Sequence, residues 1–127
     1  GTNWTQVNNF THVYFFAVSG TNIFAGTAWN GVFLSTNNGT TWTQVNTGLA
    51  NTVVTSLVVS GANIFAGIGN NNDLGIGGVY LSTNSGTNWT QTGLTNVGVS
   101  SITVSGTNIF AGTVNRGVYF LKNNGTY

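Results

Sequence analysis

The sequence predicts an all-β protein assembled from tandem four-stranded antiparallel units, and three observations carry that prediction. "VSGTNIFAGT" at residues 18–27 recurs as "VSGANIFAGI" at 59–68 and as "VSGTNIFAGT" at 104–113, spaced 41 and then 45 residues apart. Self-similarity at a fixed period of this size marks a repeat architecture. Each copy runs on into a second apolar stretch, "GVFLS", "GVYLS" or "GVYFL". The apolar runs are short and bounded by Gly and Asn, and none follows a 3.6-residue period, so almost no helix is expected.

The middle copy shows the elements in order. "VTSLVVS" (54–60) is rich in β-branched residues and reads as the first strand, and "NIFAGI" (63–68) follows across a turn at Ser60, Gly61 and Ala62. "GVYLSTN" (78–84) is the third strand, and "NWTQTG" (88–93) the fourth after a turn around Ser85 and Gly86. A first strand that is apolar on both faces suits an inner position between neighbouring sheets. A fourth that alternates a large aromatic with polar residues suits an outer position. Four strands in about 40–45 residues is the dimension of a β-propeller blade. The chain then divides into residues 1–7 as an outer strand completing another blade, 8–47 as blade one, 48–93 as blade two, and 94–127 as blade three without its outer strand.

"STNNGTTW" at 35–42 and "STNSGTNW" at 82–89 resemble the Asp-box, S-x-D-x-G-x-T-W, of sialidase-type propellers, also known as the bacterial neuraminidase repeat. The unit as a whole is similar to the tandem repeats of secreted bacterial proteins of the sortilin and photosystem-assembly-factor type. The resemblance implies that the box is the turn between the third and fourth strands. Its structural positions here are Asn37, Gly39 and Trp42, then Asn84, Gly86 and Trp89, then Asn123 and Gly125. Asn37, Asn84 and Asn123 stand where the box has Asp, Asn88 replaces the Thr, and Leu121 replaces the Ser. Asn folds back on turn amides as Asp does, so the fold is expected to survive. The resemblance also implies that Trp4, Trp42 and Trp89 pack outer strands, and it suggests an extracellular location.

Composition narrows the functions. The chain has 127 residues, 40% apolar and 13% aromatic, enough for one domain with a core. Its only charged side chains are Asp73, Arg116 and Lys122, with His12 the single histidine. A net charge of +1 offers no basic patch for phosphates, so nucleic acid is not an expected partner. Low charge also removes the repulsion that keeps proteins apart, which favours self-association. There is no cysteine, hence no disulfide and no thiolate metal site. No apolar run approaches the roughly 18 residues of a membrane span.

No catalytic residues are assigned. Sialidases are known for an arginine cluster, a Tyr nucleophile paired with Glu and an acidic general acid, and this chain has one arginine and no glutamate. Glycoside hydrolysis generally needs two carboxylates about the scissile bond, and Asp73 is alone. Neither a metal site nor a cofactor is expected: a zinc site needs three or four His, Cys or carboxylate ligands, and "GNNNDLGIG" (69–77) holds one carboxylate.

Recognition is a better prospect. The loops from fourth strand to next blade, and from second strand to third, emerge on one face of a propeller. They hold the ligand-binding candidates Phe10, His12, Trp29, Asn30, Asp73, Asn115 and Arg116. Loop variation over constant strands is how a scaffold carries recognition, and an exposed aromatic flanked by amides suits a sugar ring. Five N-x-T sequons, at Asn3, Asn9, Asn38, Asn88 and Asn124, are glycan acceptors in a host with the machinery.

Three blades do not close a ring, since known propellers have about four or more. "GTNWTQV" (1–7) is a strand without its blade, which gives Trp4 a role in strand exchange. The expected partner is the chain itself, as a homodimer of six blades or an open polymer, unless these residues belong to a longer repeat protein. Two function classes therefore stand: a non-enzymatic extracellular recognition module for carbohydrate or another surface ligand, and a structural subunit of a ring or extracellular filament.

Overall fold

A computed structural model of the chain describes residues 2–10, 12–49, 53–69 and 77–122. These form three antiparallel sheets and no helix. The first sheet is β1 (Val13–Ser19), β2 (Asn22–Thr27), β3 (Val32–Ser35) and β4 (Thr43–Gln44), hydrogen-bonded in that order. The second is β5 (Val54–Ser60), β6 (Asn63–Ile68), β7 (Gly78–Ser82) and β8 (Thr90–Thr95), again in chain order. The third is β9 (Val99–Ser105), β10 (Asn108–Thr113) and β11 (Val118–Leu121). Each sheet is a meander of the propeller-blade type, and the three are blades one, two and three below.

The hairpins follow from glycine placement. The first two strands of each blade are joined across Gly20, Gly61 and Gly106, whose φ values are 61°, 62° and 61°. Gly at the first position of a two-residue loop sets the twist that hairpins prefer. The register is then the same in all three blades, with Ala17↔Phe24, Val58↔Phe65 and Thr103↔Phe110.

Among the described residues two apolar clusters make the core, and both lie between sheets. The first joins Phe24 and Val32 of blade one to Val54, Leu57, Ile64 and Trp89 of blade two. The second joins Phe65 and Val79 of blade two to Val99, Ile102 and Ile109 of blade three. Inner strands β1, β5 and β9 pack in succession. Close approach is secured by Gly26 and Gly67: a Cβ on Gly26 would lie 2.9 Å from Val54 Cγ1, and one on Gly67 would lie 2.8 Å from Val99 Cγ1. Thr55 Oγ1 also donates across the second interface to the Val99 carbonyl, at 2.6 Å.

The outer strands depart from uniform expectation. β8 spans six residues and β4 two. In blade one the Asn46 side chain takes over from the ladder, its Oδ1 accepting from Val32 N–H at 2.8 Å. Residues 2–10 form no strand; a single strand has no stability without a ladder to join. Trp4 is accordingly fully exposed.

Candidate functional site

The loops at one end of the blades are pinned by a recurring Thr. In "TAWNG" (27–31), Thr27 N–H and Oγ1 both donate to the Gly31 carbonyl, each at 2.9 Å, and Thr27 Oγ1 accepts from Asn30 N–H at 3.0 Å. In "TVNRG" (113–117), Thr113 Oγ1 donates to the Gly117 carbonyl at 2.7 Å and accepts from Arg116 N–H at 2.9 Å. Gly31 and Gly117, with φ of 73° and 75°, supply the left-handed residue the loop needs. The two loops therefore present equivalent positions, Trp29 with Asn115 and Asn30 with Arg116.

The segments entering each inner strand lie at the same end. Ala28 N–H donates to the His12 carbonyl, Gly69 N–H to the Val53 carbonyl, and Val114 N–H to the Gly98 carbonyl, at 3.0, 2.9 and 3.0 Å. His12, at φ 63°, is held in the left-handed region, and its imidazole meets the Trp29 indole edge-on with ring centroids 4.2 Å apart. Trp29 itself is largely exposed. The Asn30 carbonyl accepts from Gln44 Nε2 at 2.7 Å and from Asn46 Nδ2 at 3.0 Å, which stiffens the loop from below.

His12, Trp29, Asn30, Asn115 and Arg116 thus share one end of the successive blades. Phe10 does not join them. It stacks on Phe33 (4.5 Å, interplanar angle 8°) and meets Trp42 edge-on at 5.6 Å, on the flank of blade one. Asp73, Asn123 and Gly125 lie outside the described residues. Among the described residues no three His, Cys, Asp or Glu side chains gather into a metal-binding group. Sequence reasoning missed Thr27, Thr113, Gln44 and Asn46 as supports. The T-x-x-x-G spacing was visible in both loops, but nothing local marks a side chain 14 or 16 residues on as a loop brace.

At the opposite end of the third strands, the two S-T-N-x-G turns are alike. Gly39 N–H donates to Ser35 Oγ and Gly86 N–H to Ser82 Oγ, both at 2.8 Å. Thr41 N–H donates to Asn37 Oδ1 and Asn88 N–H to Asn84 Oδ1, both at 2.9 Å. The Asn side-chain oxygens cap the turn amides without a carboxylate.

No family model matches the sequence, and no curated protein does. Solved structures do match. An ancestral GH74 enzyme superposes with TM-score 0.67 at 22% identity, over 89% of this chain and 15% of that one. The extracellular domain of the BT4673 one-component system from B. thetaiotaomicron gives 0.68 at 18% identity, over 87% and 15%. The computationally designed Ika4 protein gives 0.52 at 9% identity, over 95% and 98%. These likenesses place the chain among propeller-type folds. The chain spans about 15% of the length of the GH74 and BT4673 proteins.

Proposed function

We propose that the chain is a non-enzymatic, extracellular recognition module that binds carbohydrate or a similar neutral surface ligand through its loop end. One observation carries the reading: an exposed Trp29 indole is fixed edge-on by His12, beside an Asn30 loop braced from Gln44 and Asn46. A pre-positioned aromatic face costs little entropy on binding and offers an apolar plane for the C–H face of a sugar. Asn30 and Asn115 supply neutral donors and acceptors for hydroxyls. One arginine, one carboxylate and no glutamate argue for binding without hydrolysis. The S-T-N-x-G turns fit an Asp-box whose acid is replaced by Asn, in a structural role. An extracellular setting is in keeping with a fold shared by the extracellular domain of BT4673.

Calorimetric titration against a glycan panel tests this. At least one sugar class is expected to bind, and Trp29→Ala to weaken it at least about tenfold, with the sheet signal in circular dichroism unchanged. Equal binding by the variant, or silence across the panel, defeats it.

A second reading, a subunit of a ring or filament, is favoured by a separate observation. Both ends of the blade series carry exposed apolar side chains: Phe16 and Val18 at one, Val118 and Phe120 at the other. Such faces mark interaction surfaces.

A further inference from the structure

Trp89 shows how a blade is locked to the one before it. Its ring is buried in a cluster with Val32, Ile64, Ala66 and Tyr80, and Val45 packs on that cluster. Its indole N–H donates to the Val45 carbonyl and its backbone N–H to the Thr47 carbonyl, both at 2.8 Å. One repeat further along, the positions equivalent to Val32, Val45, Thr47, Ile64, Ala66 and Tyr80 are Val79, Thr92, Leu94, Ile109, Ala111 and Tyr119. All six line one groove, about 270 Å³ in volume and mostly apolar, between β8 and β11. The groove is the Trp89 socket repeated on blade three. Tyr119 is 38% exposed in it, where Tyr80 beside Trp89 is 2% exposed.

The chain holds a segment shaped for that socket. Residues 2–7 repeat residues 87–92 at every position but the last, which puts Trp4 in the register of Trp89. Trp4 is fully exposed, and the segment that follows it runs onto blade one, where Phe10 stacks on Phe33. Socket and plug therefore sit at opposite ends of the blade series.

The flat faces at those ends match in the same way. Val54 and Leu57 pack into the hollow at Gly26, and their equivalents Val99 and Ile102 pack into the hollow at Gly67. At the next hollow, Gly112, the three nearest atoms all belong to Ser100 and Ser101 of its own blade. At the other end, Phe16, the equivalent of Leu57 and Ile102, is 62% exposed where they are 6% and 8%. Val118 is 71% exposed where its equivalent Val79 is 4%. One interface is made twice inside the chain, and its two halves are left bare at the ends.

On the premise of self-association, we infer that a second copy of this chain docks its blade one on blade three and lays its residues 2–7 along β11 as that blade's fourth strand. Trp4 of the second copy enters the groove, its indole N–H donating to the Thr92 carbonyl. The pairing Leu81↔Thr90 and Tyr80↔Gln91 in blade two sets the register: Phe120 opposite Thr5 and Tyr119 opposite Gln6 of the second copy. Such a head-to-tail contact closes into a two-copy ring if each copy serves the other, and otherwise propagates as a filament.

The absence of cysteine from the chain makes the register directly testable. Thr5→Cys and Phe120→Cys proteins, mixed and mildly oxidised, are expected to give a disulfide-linked pair of twice the chain mass, while Thr5→Cys with Gln91→Cys gives none. Light scattering of the native chain is expected to show a dimer or larger species, and Trp4→Ala to raise its dissociation constant at least about tenfold. Trp4→Ala leaves the single chain folded, since Trp4 touches little within it. Assembly that survives Trp4→Ala without cross-linking overturns the socket and leaves end-face association standing. A native chain that stays monomeric at every concentration tested overturns both.

Discussion

The turns at residues 35–42 and 82–89 share their capping hydrogen bonds at the same lengths, yet their tryptophans end in different surroundings. Trp42 folds back and donates to the Gly39 carbonyl of its own turn at 3.0 Å, half-exposed, with Phe10 against its edge. Trp89 reaches across to blade one, donates to the Val45 carbonyl, and is buried. Local sequence makes the turn; a neighbouring blade decides what its tryptophan is worth. The contrast extends to whole blades. The central strand β6 of blade two is buried along nearly all its length, while β11 of blade three is exposed throughout.

The largest expected effect is the one that separates the two tryptophans. Trp89→Ala empties a buried site and orphans an acceptor, and is expected to cost about 3–5 kcal/mol in urea unfolding. That is a large share of the roughly 5–15 kcal/mol that holds a domain together. Trp42→Ala is expected to cost less, about 1–2 kcal/mol, because the ring is only partly buried and its hydrogen bond stays within its own turn. Equal losses at both positions would mean that the neighbouring blade adds nothing to the stability of Trp89.

Next come the inter-blade hollows. Gly67→Ala sets a methyl within 3 Å of Val99 Cγ1 and Ser56 Oγ, an overpacking expected to cost about 1–3 kcal/mol. Gly112→Ala meets only Ser101 Oγ at 2.9 Å as a close neighbour, and that hydroxyl can turn away. Its expected cost to the single chain is under about 1 kcal/mol. If copies dock end to end, Gly112→Ala instead weakens assembly, by obstructing the second copy's Val13 and Phe16. Thermal unfolding read beside light scattering separates the two effects.

The sequence made the strands legible for a physical reason: β5 and β6 were expected at 54–60 and 63–68 and lie at Val54–Ser60 and Asn63–Ile68. β-branched runs between hairpin glycines leave little freedom there. The fourth strands were less legible. "WTQV" and "WTQT" look alike, but the Asn46 side chain occupies Val32 N–H in blade one and shortens the ladder to β4. Of the loop candidates, Trp29 and Asn30 were readable as the residues that vary over constant strands. The His12 contact with Trp29 was not, because it depends on a left-handed backbone at a residue that gives no sign of it. Nor does any linear signal distinguish Phe16 from Leu57. Both are apolar in an inner strand, and only the presence of a neighbouring blade decides which is buried.

Smaller effects test the shared part of the comparison. Asn37→Ala and Asn84→Ala each remove an oxygen that caps a turn amide, and each is expected to cost about 1–2 kcal/mol. The two losses should agree within about 1 kcal/mol, with Asn37→Ala the larger because Asn37 Nδ2 also donates to Thr41 Oγ1. Asn37→Asp keeps the acceptor but gives up the Nδ2 donation to Thr41 Oγ1 at 2.8 Å, so its expected cost is below that of Asn37→Ala. A clearly larger loss for Asn84→Ala than for Asn37→Ala would mean that burial of Trp89 stabilises its own turn.

Neighbouring hydroxyls of β5 differ in how they meet the second interface. Thr55 Oγ1 bridges the blades: its one proton goes chiefly to the Val99 carbonyl at 2.6 Å, with the Gly67 carbonyl of its own blade also in reach at 3.1 Å. Ser56 Oγ, one residue on, is buried with no partner among the described residues. An unpaired buried hydroxyl is a cost that the folded state carries, so Ser56→Ala is expected to be neutral or to gain up to about 1 kcal/mol. Thr55→Val, which keeps the shape and loses the bridge, is expected to cost about 1 kcal/mol. The pair of variants asks how much the Thr55 hydrogen bond adds to the apolar contact between blades two and three. If Ser56→Ala instead destabilises by more than about 1 kcal/mol, the hydroxyl has a partner, and the interface is more polar than that picture. The equivalent residues at the ends sharpen the point, because Ser101 of blade three is exposed and Phe15 stands at that place in blade one. Ser101→Ala should therefore change the single chain by less than about 0.5 kcal/mol, its hydroxyl being satisfied by water wherever no second blade covers it.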